Sequence, residues 1–246
     1  MQDYDWIEVA FVFEEVPSSE EYESLLRALP NNPGPEYNAD QYNINCSGQN
    51  SDGEPGVHGD KEEAVYALST SEHCSIEVWL DRYGLNIGYD KDKIGFPTYS
   101  STPYLDFATT IYSFRDSDNE SRIEQVRQRR REFAKILSTS ADILDPKWGF
   151  GRRGGLAIGE DETVEELAST TKPPLYEYNV FREETVEAIG REQVLSVPAY
   201  YVEELDSGGV FMAVTEPPEQ CGHEDQPCEE VAEQLGLSLA KTERYH

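Results

Sequence analysis

A hairpin near the C-terminus is the sequence feature that most constrains the fold. Residues 199–205 and 210–215 are short runs rich in β-branched and aromatic residues, and residues 206–209 separate them. Gly208 and Gly209 in this connection can adopt the positive φ that a tight turn requires. Strands joined by so short a turn are antiparallel, whereas strands of βαβ units are parallel. The pattern therefore favours an antiparallel sheet.

Strand patterns also occur elsewhere in the chain. Residues 5–13 predict an opening strand, and residues 64–69, 75–80 and 85–89 predict a meander in which 81–84 form a short turn. Residues 104–114 favour a strand, with a helix as the open alternative, and residues 175–181 favour another strand. These segments extend the antiparallel sheet well beyond the hairpin.

Fewer segments carry a helical pattern. Ser18 and Glu21 form a capping-box pattern before an apolar stripe that Pro30 ends, and Asn119 can cap a long helix over residues 119–137. Short helices are predicted over 164–168, 183–189 and 225–235. The predicted fold class is α+β, with a mixed, mainly antiparallel sheet (a meander and a C-terminal hairpin) packed by a few helices.

The 246 residues suit a single α+β domain. Two subdomains divided near residues 145–175 remain an alternative, because Pro and Gly interrupt the pattern there. Residues 31–60 are dense in Asn, Gly, Pro, Ser and Asp, which predicts a long loop or an insertion.

The charge is strongly negative and dispersed. Asp and Glu number 49 against 20 Lys and Arg, which gives a formal charge of -29 and a pI near 4.3. This composition is typical of a halophilic, haloarchaeal-like protein. In such a protein, molar salt screens the repulsion between the negative surface charges. The same charge opposes binding to nucleic acid and to anionic membranes. No stretch is long and apolar enough for a membrane helix, and residues 1–6 lack a leader pattern, so the expected location is the cytoplasm.

One segment is basic. Residues 122–153 hold nine Lys and Arg residues against four acids. One of the basic residues is Arg130, within the predicted long helix. These residues spread around more than one face of a helix. Pairing with the chain's own carboxylates is the first interpretation, and binding of an acidic partner is the second.

A glycine motif follows the basic helix. Gly149, Gly151 and Gly154 match the spacing G-x-G-x-x-G, but Pro146 precedes them where a dinucleotide site needs a buried strand. The segment is interpreted as a surface loop. Trp148, Arg152 and Arg153 are of residue types that anchor interfaces, so they are predicted, with Arg130, as partner-binding residues.

Four cysteines raise the question of metal. Cys221, His223 and Cys228 fall within eight residues, whereas a structural zinc site normally has four ligands and the remaining candidates are distant. A zinc-supported structure is an alternative. A Cys221–Cys228 disulfide is disfavoured in a cytoplasmic protein, so free thiols are expected and no cofactor or metal is predicted.

Catalytic templates are missing from the sequence. It contains no G-x-S-x-G, H-E-x-x-H or G-x-x-x-x-G-K-[ST] pattern. Acid pairs carry little information in a chain with 49 carboxylates. No catalytic residue is predicted, although an enzyme of unrecognised type stays an alternative.

The C-terminal third carries a family resemblance. The residues concerned lie at 179–181, 185–192, 198–200, 202–205, 208–210 and 216–217, in the order strand, short helix with Ile-Gly-Arg-Glu, Pro-Ala-Tyr and Gly-Gly hairpin. This order resembles a family of uncharacterised, mostly bacterial α+β proteins that look like the immunity proteins of polymorphic toxin systems. The resemblance implies a non-enzymatic protein-binding module that captures a toxin. Arg191 and Glu192 are expected to form a local ion pair.

Overall fold

The computed structural model describes residues 6–31, 41–46, 57–71, 73–80, 83–90, 102–115, 120–159, 161–221 and 227–240. Strands lie at Trp6–Val12 (β1), Tyr42–Cys46 (β2), Val57–Gly59 (β3), His73–Leu80 (β4), Tyr83–Asp90 (β5), Tyr104–Thr110 (β6), Trp148–Arg153 (β7), Tyr178–Phe181 (β8), Tyr201–Glu204 (β9) and Val210–Ala213 (β10). Helices lie at Ser19–Ala28 (α1), Lys61–Thr70 (α2), Glu120–Leu144 (α3), Val164–Ser169 (α4), Glu183–Ile189 (α5), Arg191–Ser196 (α6) and Pro227–Leu235 (α7), with a 3-10 helix at Ile111–Phe114.

The ten strands form one sheet in the order β3-β2-β4-β5-β6-β1-β7-β8-β10-β9. Every pair of neighbouring strands is antiparallel. The α+β class with a mainly antiparallel sheet is therefore confirmed. Among the described helices, none has the length and apolar character needed to cross a bilayer.

Helices cover both faces of the sheet. Phe11 of β1 and Phe211 of β10 point into one core, which α1, α2 and α3 cover. Alternate residues of the same strands point the other way. Val12 packs in a cluster with α4, and Met212 packs in a cluster with α5, α6 and α7, which we call the C-terminal core.

Several sequence predictions are confirmed. The structure contains the opening strand, the 75–89 hairpin, the short helices and the C-terminal hairpin, where Gly208 has φ +82°. Ser18 accepts a hydrogen bond from the Glu21 backbone N–H, and the Glu21 carboxylate accepts one from the Ser18 backbone N–H, which completes the capping box. The predicted Asn119 cap and part of the 81–84 turn lie outside the described residues.

The prediction of a strand at residues 64–69 is wrong, because α2 occupies this segment. Asp60 and Glu63 form a second capping box there, and Ala64, Ala67 and Leu68 place a buried stripe at helical spacing. Further along, residues 104–114 are a strand only to Thr110, after which the 3-10 helix begins. The long helix α3 continues to Leu144, seven residues beyond its predicted end.

Two segments expected to be irregular contain strands. β2 and β3 lie within residues 31–60, at one edge of the sheet, and β7 occupies residues 148–153 near its middle. Whether residues 31–60 are an insertion, and whether subdomains divide near 145–175, remain predictions.

Candidate partner-binding site

The structure places Trp148 inside the protein. β7 lies between β1 and β8, and the Trp148 side chain is only 2% exposed. Its ring stacks on Phe150 at 4.3 Å between centroids and meets Tyr176 edge-on at 6.0 Å. The surface-loop interpretation of this segment is therefore wrong, since the aromatic residues are buried in the core beneath α4.

The glycines of the motif serve the packing of the sheet. A Cβ on Gly149 would lie 2.5 Å from Val180 Cγ2, and one on Gly151 would lie 2.6 Å from the Glu8 carbonyl oxygen. Both contacts are closer than real Cβ atoms allow, so neighbouring strands can approach only a residue without a side chain. The pattern is explained by close contact within the sheet rather than by a phosphate site.

Arg152 and Arg153 connect β7 to its surroundings. Arg152 is 2% exposed, and its Nε donates to the Arg153 carbonyl at 3.4 Å. The backbone N–H of Arg153 donates to Glu177 Oε2 at 2.6 Å, and its Nη1 donates to the Pro218 carbonyl at 3.2 Å. Burial raises the pKa of Tyr176, which the Glu162 charge raises further and the Arg152 charge lowers. Both arginines thus act within the fold.

Arg130 is also internal. Its side chain is largely buried, and both Nε and Nη2 donate to the Phe114 carbonyl, at 3.0 and 2.6 Å. Nη1 lies 3.4 Å from Glu216 Oε1. Arg130 therefore caps the end of the 3-10 helix, where carbonyl groups lack partners within the helix. Partner binding by Trp148, Arg152, Arg153 and Arg130 remains a prediction. Trp148, Arg152 and Arg130 are buried and leave little surface for it, whereas Arg153 is partly exposed.

The cysteines form disulfides, and the expectation of free thiols is wrong. Cys46 is bonded to Cys74 and Cys221 to Cys228. A sulfur in a disulfide is not the thiolate that zinc requires, so the Cys221 and Cys228 pair supplies no ligands here. His223 lies outside the described residues, within which no group of three His, Cys, Asp or Glu residues is arranged to hold a metal.

The segment that carries the family resemblance forms β8, α5, α6, β9 and β10. Phe181 and Ile189 are buried in the C-terminal core. Arg191 does not pair with Glu192 as expected, because its guanidinium meets carboxylates from three other places. Its Nε donates to Glu187 Oε1 at 2.9 Å, its Nη1 donates to Glu204 Oε1, and Glu183 lies 3.7 Å away. These hydrogen bonds raise the pKa of Arg191.

An open cavity of about 550 Å³ lies at one end of the sheet. The end of β1, the start of β7 and the end of β8 border this cavity. The β9–β10 turn closes one side of it. Phe13, Leu144 and Phe181 contribute to its lining but are only 4%, 3% and 1% exposed, so its accessible surface is mainly polar. We call this feature the acidic cleft, because its charged lining consists of Glu14, Glu15, Glu21, Asp145, Glu183 and Glu184 with Lys147 and Arg182.

Some of these carboxylates have local partners. Lys147 Nζ lies 3.3 Å from Glu14 Oε1, Arg182 Nε lies 3.5 Å from Glu184 Oε2, and Arg191 contacts Glu183. Glu15 and Asp145 are exposed and form no ion pair within the described part of the chain. The cleft therefore keeps a negative potential after its internal pairs are counted. Sequence reasoning missed it because its residues come from four separated segments.

Asp145 has an unusual backbone. Its φ is +44°, and it follows directly after α3, where its N–H donates to the Ala141 carbonyl at 2.9 Å. A left-handed residue at this position is a common helix ending, which glycine or asparagine usually supplies. An aspartate also places a negative charge at the negative end of the helix dipole, which is unfavourable. The residue at this position therefore adds charge to the cleft at a cost in stability.

Comparison with known proteins supports the fold. No family model matches the chain, and no curated protein matches it. Among solved structures, the Pseudomonas aeruginosa T6SS protein PA0821 is similar, with a TM-score of 0.53 at 14% sequence identity. The match covers 96% of this chain and 77% of that one. At this identity the likeness shows a shared fold.

Proposed function

We propose that this chain is a non-enzymatic protein-binding module of the immunity type, which captures a toxin through the acidic cleft. The likeness to a T6SS protein supports a toxin-system context, since it extends over nearly the whole chain. The C-terminal resemblance to immunity proteins supports the same context. The observation that carries the proposal is the acidic cleft, an open cavity whose lining includes exposed carboxylates.

The cleft suits a basic segment of a partner protein. A Lys or Arg side chain that enters the cavity can place its charged head directly against these carboxylates. The negative charge of the whole molecule attracts a basic partner over long range at low ionic strength, whereas at molar salt only carboxylates in direct contact with the partner contribute. The predicted interface at Trp148, Arg152, Arg153 and Arg130 offers less, because those side chains already have internal contacts. The proposal therefore places the contact surface at the cleft.

The test compares two double variants with the same change of charge. Glu15→Gln with Asp145→Asn neutralises two exposed carboxylates of the cleft, whereas Glu124→Gln with Glu233→Gln neutralises two exposed carboxylates on α3 and α7. Each protein serves as bait for lysate proteins at molar salt, and the binding of any stoichiometric partner is then measured with purified components. We expect the cleft variant to bind at least tenfold more weakly than wild type and the control variant to bind within twofold of wild type.

Two results would contradict the proposal. Equal loss of binding in both variants would mean that net charge, and not the cleft, determines capture. The second test is neutralisation in cells, where the partner is expressed with and without this chain and both are directed to a compartment in which the two disulfides form. A partner that is harmless when expressed alone, or that stays toxic when this chain is co-expressed, would exclude an immunity role.

A further inference from the structure

All four cysteines of the chain are paired in two disulfides that lie in different parts of the fold. Cys46 of β2 and Cys74 of β4 are direct neighbours in the sheet, with 4.1 Å between their Cα atoms. Cys221 follows β10, and Cys228 lies in the first turn of α7, with 5.6 Å between their Cα atoms. A complete set of paired cysteines is typical of proteins from oxidising compartments and rare in the cytosol.

The burial of the disulfides indicates a structural role. Cys46, Cys74 and Cys228 are all buried, and Cys228 has no exposed surface. Disulfides that exchange during catalysis or redox sensing have an accessible sulfur that a thiolate can attack. Reductants and partner thiols reach buried sulfurs poorly. Cys221 is the one partly exposed member of the two pairs, so the burial argument is complete for Cys46–Cys74 and rests on Cys228 for the second bond.

The Cys221–Cys228 bond holds the C-terminal helix to the centre of the sheet. The Cys221 backbone N–H donates to Glu177 Oε1 at 3.1 Å, and Oε2 of the same buried carboxylate accepts from the Arg153 N–H of β7. On its other side the bond fixes the start of α7, whose Val231 and Leu235 are buried in the C-terminal core. The Glu177 carboxylate and the disulfide together thus connect β7 to α7.

The C-terminal core also supports the acidic cleft. Val186 and Ile189 of α5 pack in this core together with Cys228 and the apolar side of α7. The first residues of α5 are Glu183 and Glu184, which line the cleft. Loss of the bond at α7 would loosen the core beneath these residues. The geometry connects the oxidised cysteines to the proposed binding surface.

We propose that the chain reaches its functional form in an oxidising compartment, with both disulfides closed, and captures its partner there. This inference rests on the proposed function, which identifies the partner as a basic protein. It places that partner outside the reducing cytosol, so a secreted or envelope-acting protein fits better than one that acts on nucleic acid in the cytosol. The expected cytoplasmic location is replaced by this proposal.

The chemistry that the test uses is reduction by a small dithiol. Each disulfide accepts two electrons and two protons and becomes two thiols, while the dithiol loses the same electrons and protons and closes to a cyclic disulfide. Four thiols result from full reduction of the chain. Alkylation followed by mass spectrometry counts them.

The experiment compares the full chain produced in an oxidising compartment with the full chain produced in a reducing cytosol, both at molar salt. We expect no alkylatable thiol in the first and four in the second, with an unfolding midpoint lower by more than about 10 °C in the reduced protein. A reduced protein that unfolds at the same temperature as the oxidised one would overturn the proposal. So would a chain from the oxidising compartment that retains four free thiols.

Two double variants cover the case in which the reduced chain does not fold. Cys46→Ser with Cys74→Ser and Cys221→Ser with Cys228→Ser each remove one bond and leave the other. We expect the second variant to bind a basic partner at least tenfold more weakly, because α5 lies over the loosened core. Equal binding by this variant and wild type would refute the link to the cleft. If oxidised wild type captures no partner, the proposed function fails, while thiol counts and unfolding midpoints still decide the compartment.

Discussion

Replacement of Gly151 by alanine tests whether the glycine motif serves the sheet. Gly151 lies in β7 opposite Val9 of β1. An added Cβ would lie 2.6 Å from the Glu8 carbonyl oxygen, 2.7 Å from Val9 Cα and 2.7 Å from Val9 Cγ2. Two of these atoms belong to the backbone of a strand that is paired on both sides. The methyl group can therefore be accommodated only if β1 and β7 move apart.

The expected cost follows from two opposing effects. Overpacking of a well-packed interior costs typically 1–3 kcal/mol, and contact with backbone favours the upper end, at about 3 kcal/mol. Replacing glycine also restricts the unfolded chain, which returns about 1 kcal/mol. The net loss in the free energy of unfolding is about 2 kcal/mol, which lowers the melting temperature of a domain this size by about 4–8 °C.

The assay is thermal and denaturant unfolding of the protein without ligand. Gly159→Ala is the matched control, because the three atoms nearest to its Cβ all belong to the flexible side chain of Glu162, which accepts a hydrogen bond from the Gly159 N–H at 2.9 Å. We expect this control to stay within about 1 kcal/mol of wild type. If Gly151→Ala also stayed within about 0.5 kcal/mol, the packing explanation would be refuted. A glycine that serves only a bound phosphate would show that result.

Individual side chains and the net charge each make a measurable contribution to stability. Asp145→Asn should raise the free energy of unfolding by about 0.3–1 kcal/mol, because it removes a carboxylate from the end of α3 and asparagine tolerates positive φ. Denaturant unfolding measures this change, and a less stable variant would contradict the prediction. Arg191→Met should speed amide hydrogen exchange at Gly208, whose carbonyl accepts from Arg191 Nη1 at 3.1 Å, and unchanged exchange would show that the contact does not hold the turn. Burial raises the pKa of Tyr83 and Tyr178 above 10.0, so the stability they contribute should be full below that pH and should be lost as the pH rises above it, which denaturant unfolding at increasing pH measures. Unchanged stability over that range would oppose this reasoning. The net charge of -29 predicts an unfolding midpoint that rises from low to molar salt, and a flat dependence would exclude a halophilic type.

Local signals predicted much of the fold. The capping box at Ser18 and Glu21 marks the start of α1, and the two glycines after Asp206 mark the β9–β10 turn, because both features depend on residues close together in the chain. The same reasoning could have found α2, since Asp60 and Glu63 form a capping box as well. The aromatic and β-branched residues of 64–69 favoured a strand instead, but tertiary packing of α2 on the sheet outweighs that propensity.

The parts that sequence could not predict depend on distant contacts. The glycines of β7 predict a loop when only the sequence is considered. The strands on both sides of β7 explain why glycine is required there. The acidic cleft combines segments that lie far apart in sequence. The Cys221–Cys228 disulfide was disfavoured on an inferred compartment, and the Cys46–Cys74 bond was not anticipated because these residues become neighbours only once β2 pairs with β4. The charge and composition of the sequence indicated neither the acidic cleft nor the disulfides.

The position of β1 in the sheet bears on how the chain is made. β1 pairs with β6 and β7, whose residues follow it by about a hundred and about a hundred and forty positions, as in Ile7 with Thr109 and Arg153. A ribosome therefore releases this apolar strand well before either neighbour exists, and closing such distant pairs is intrinsically slow. During synthesis the nascent chain displays an unpaired edge rich in Val, Ile and Phe. We expect its biogenesis to depend on a holding chaperone until β7 has emerged.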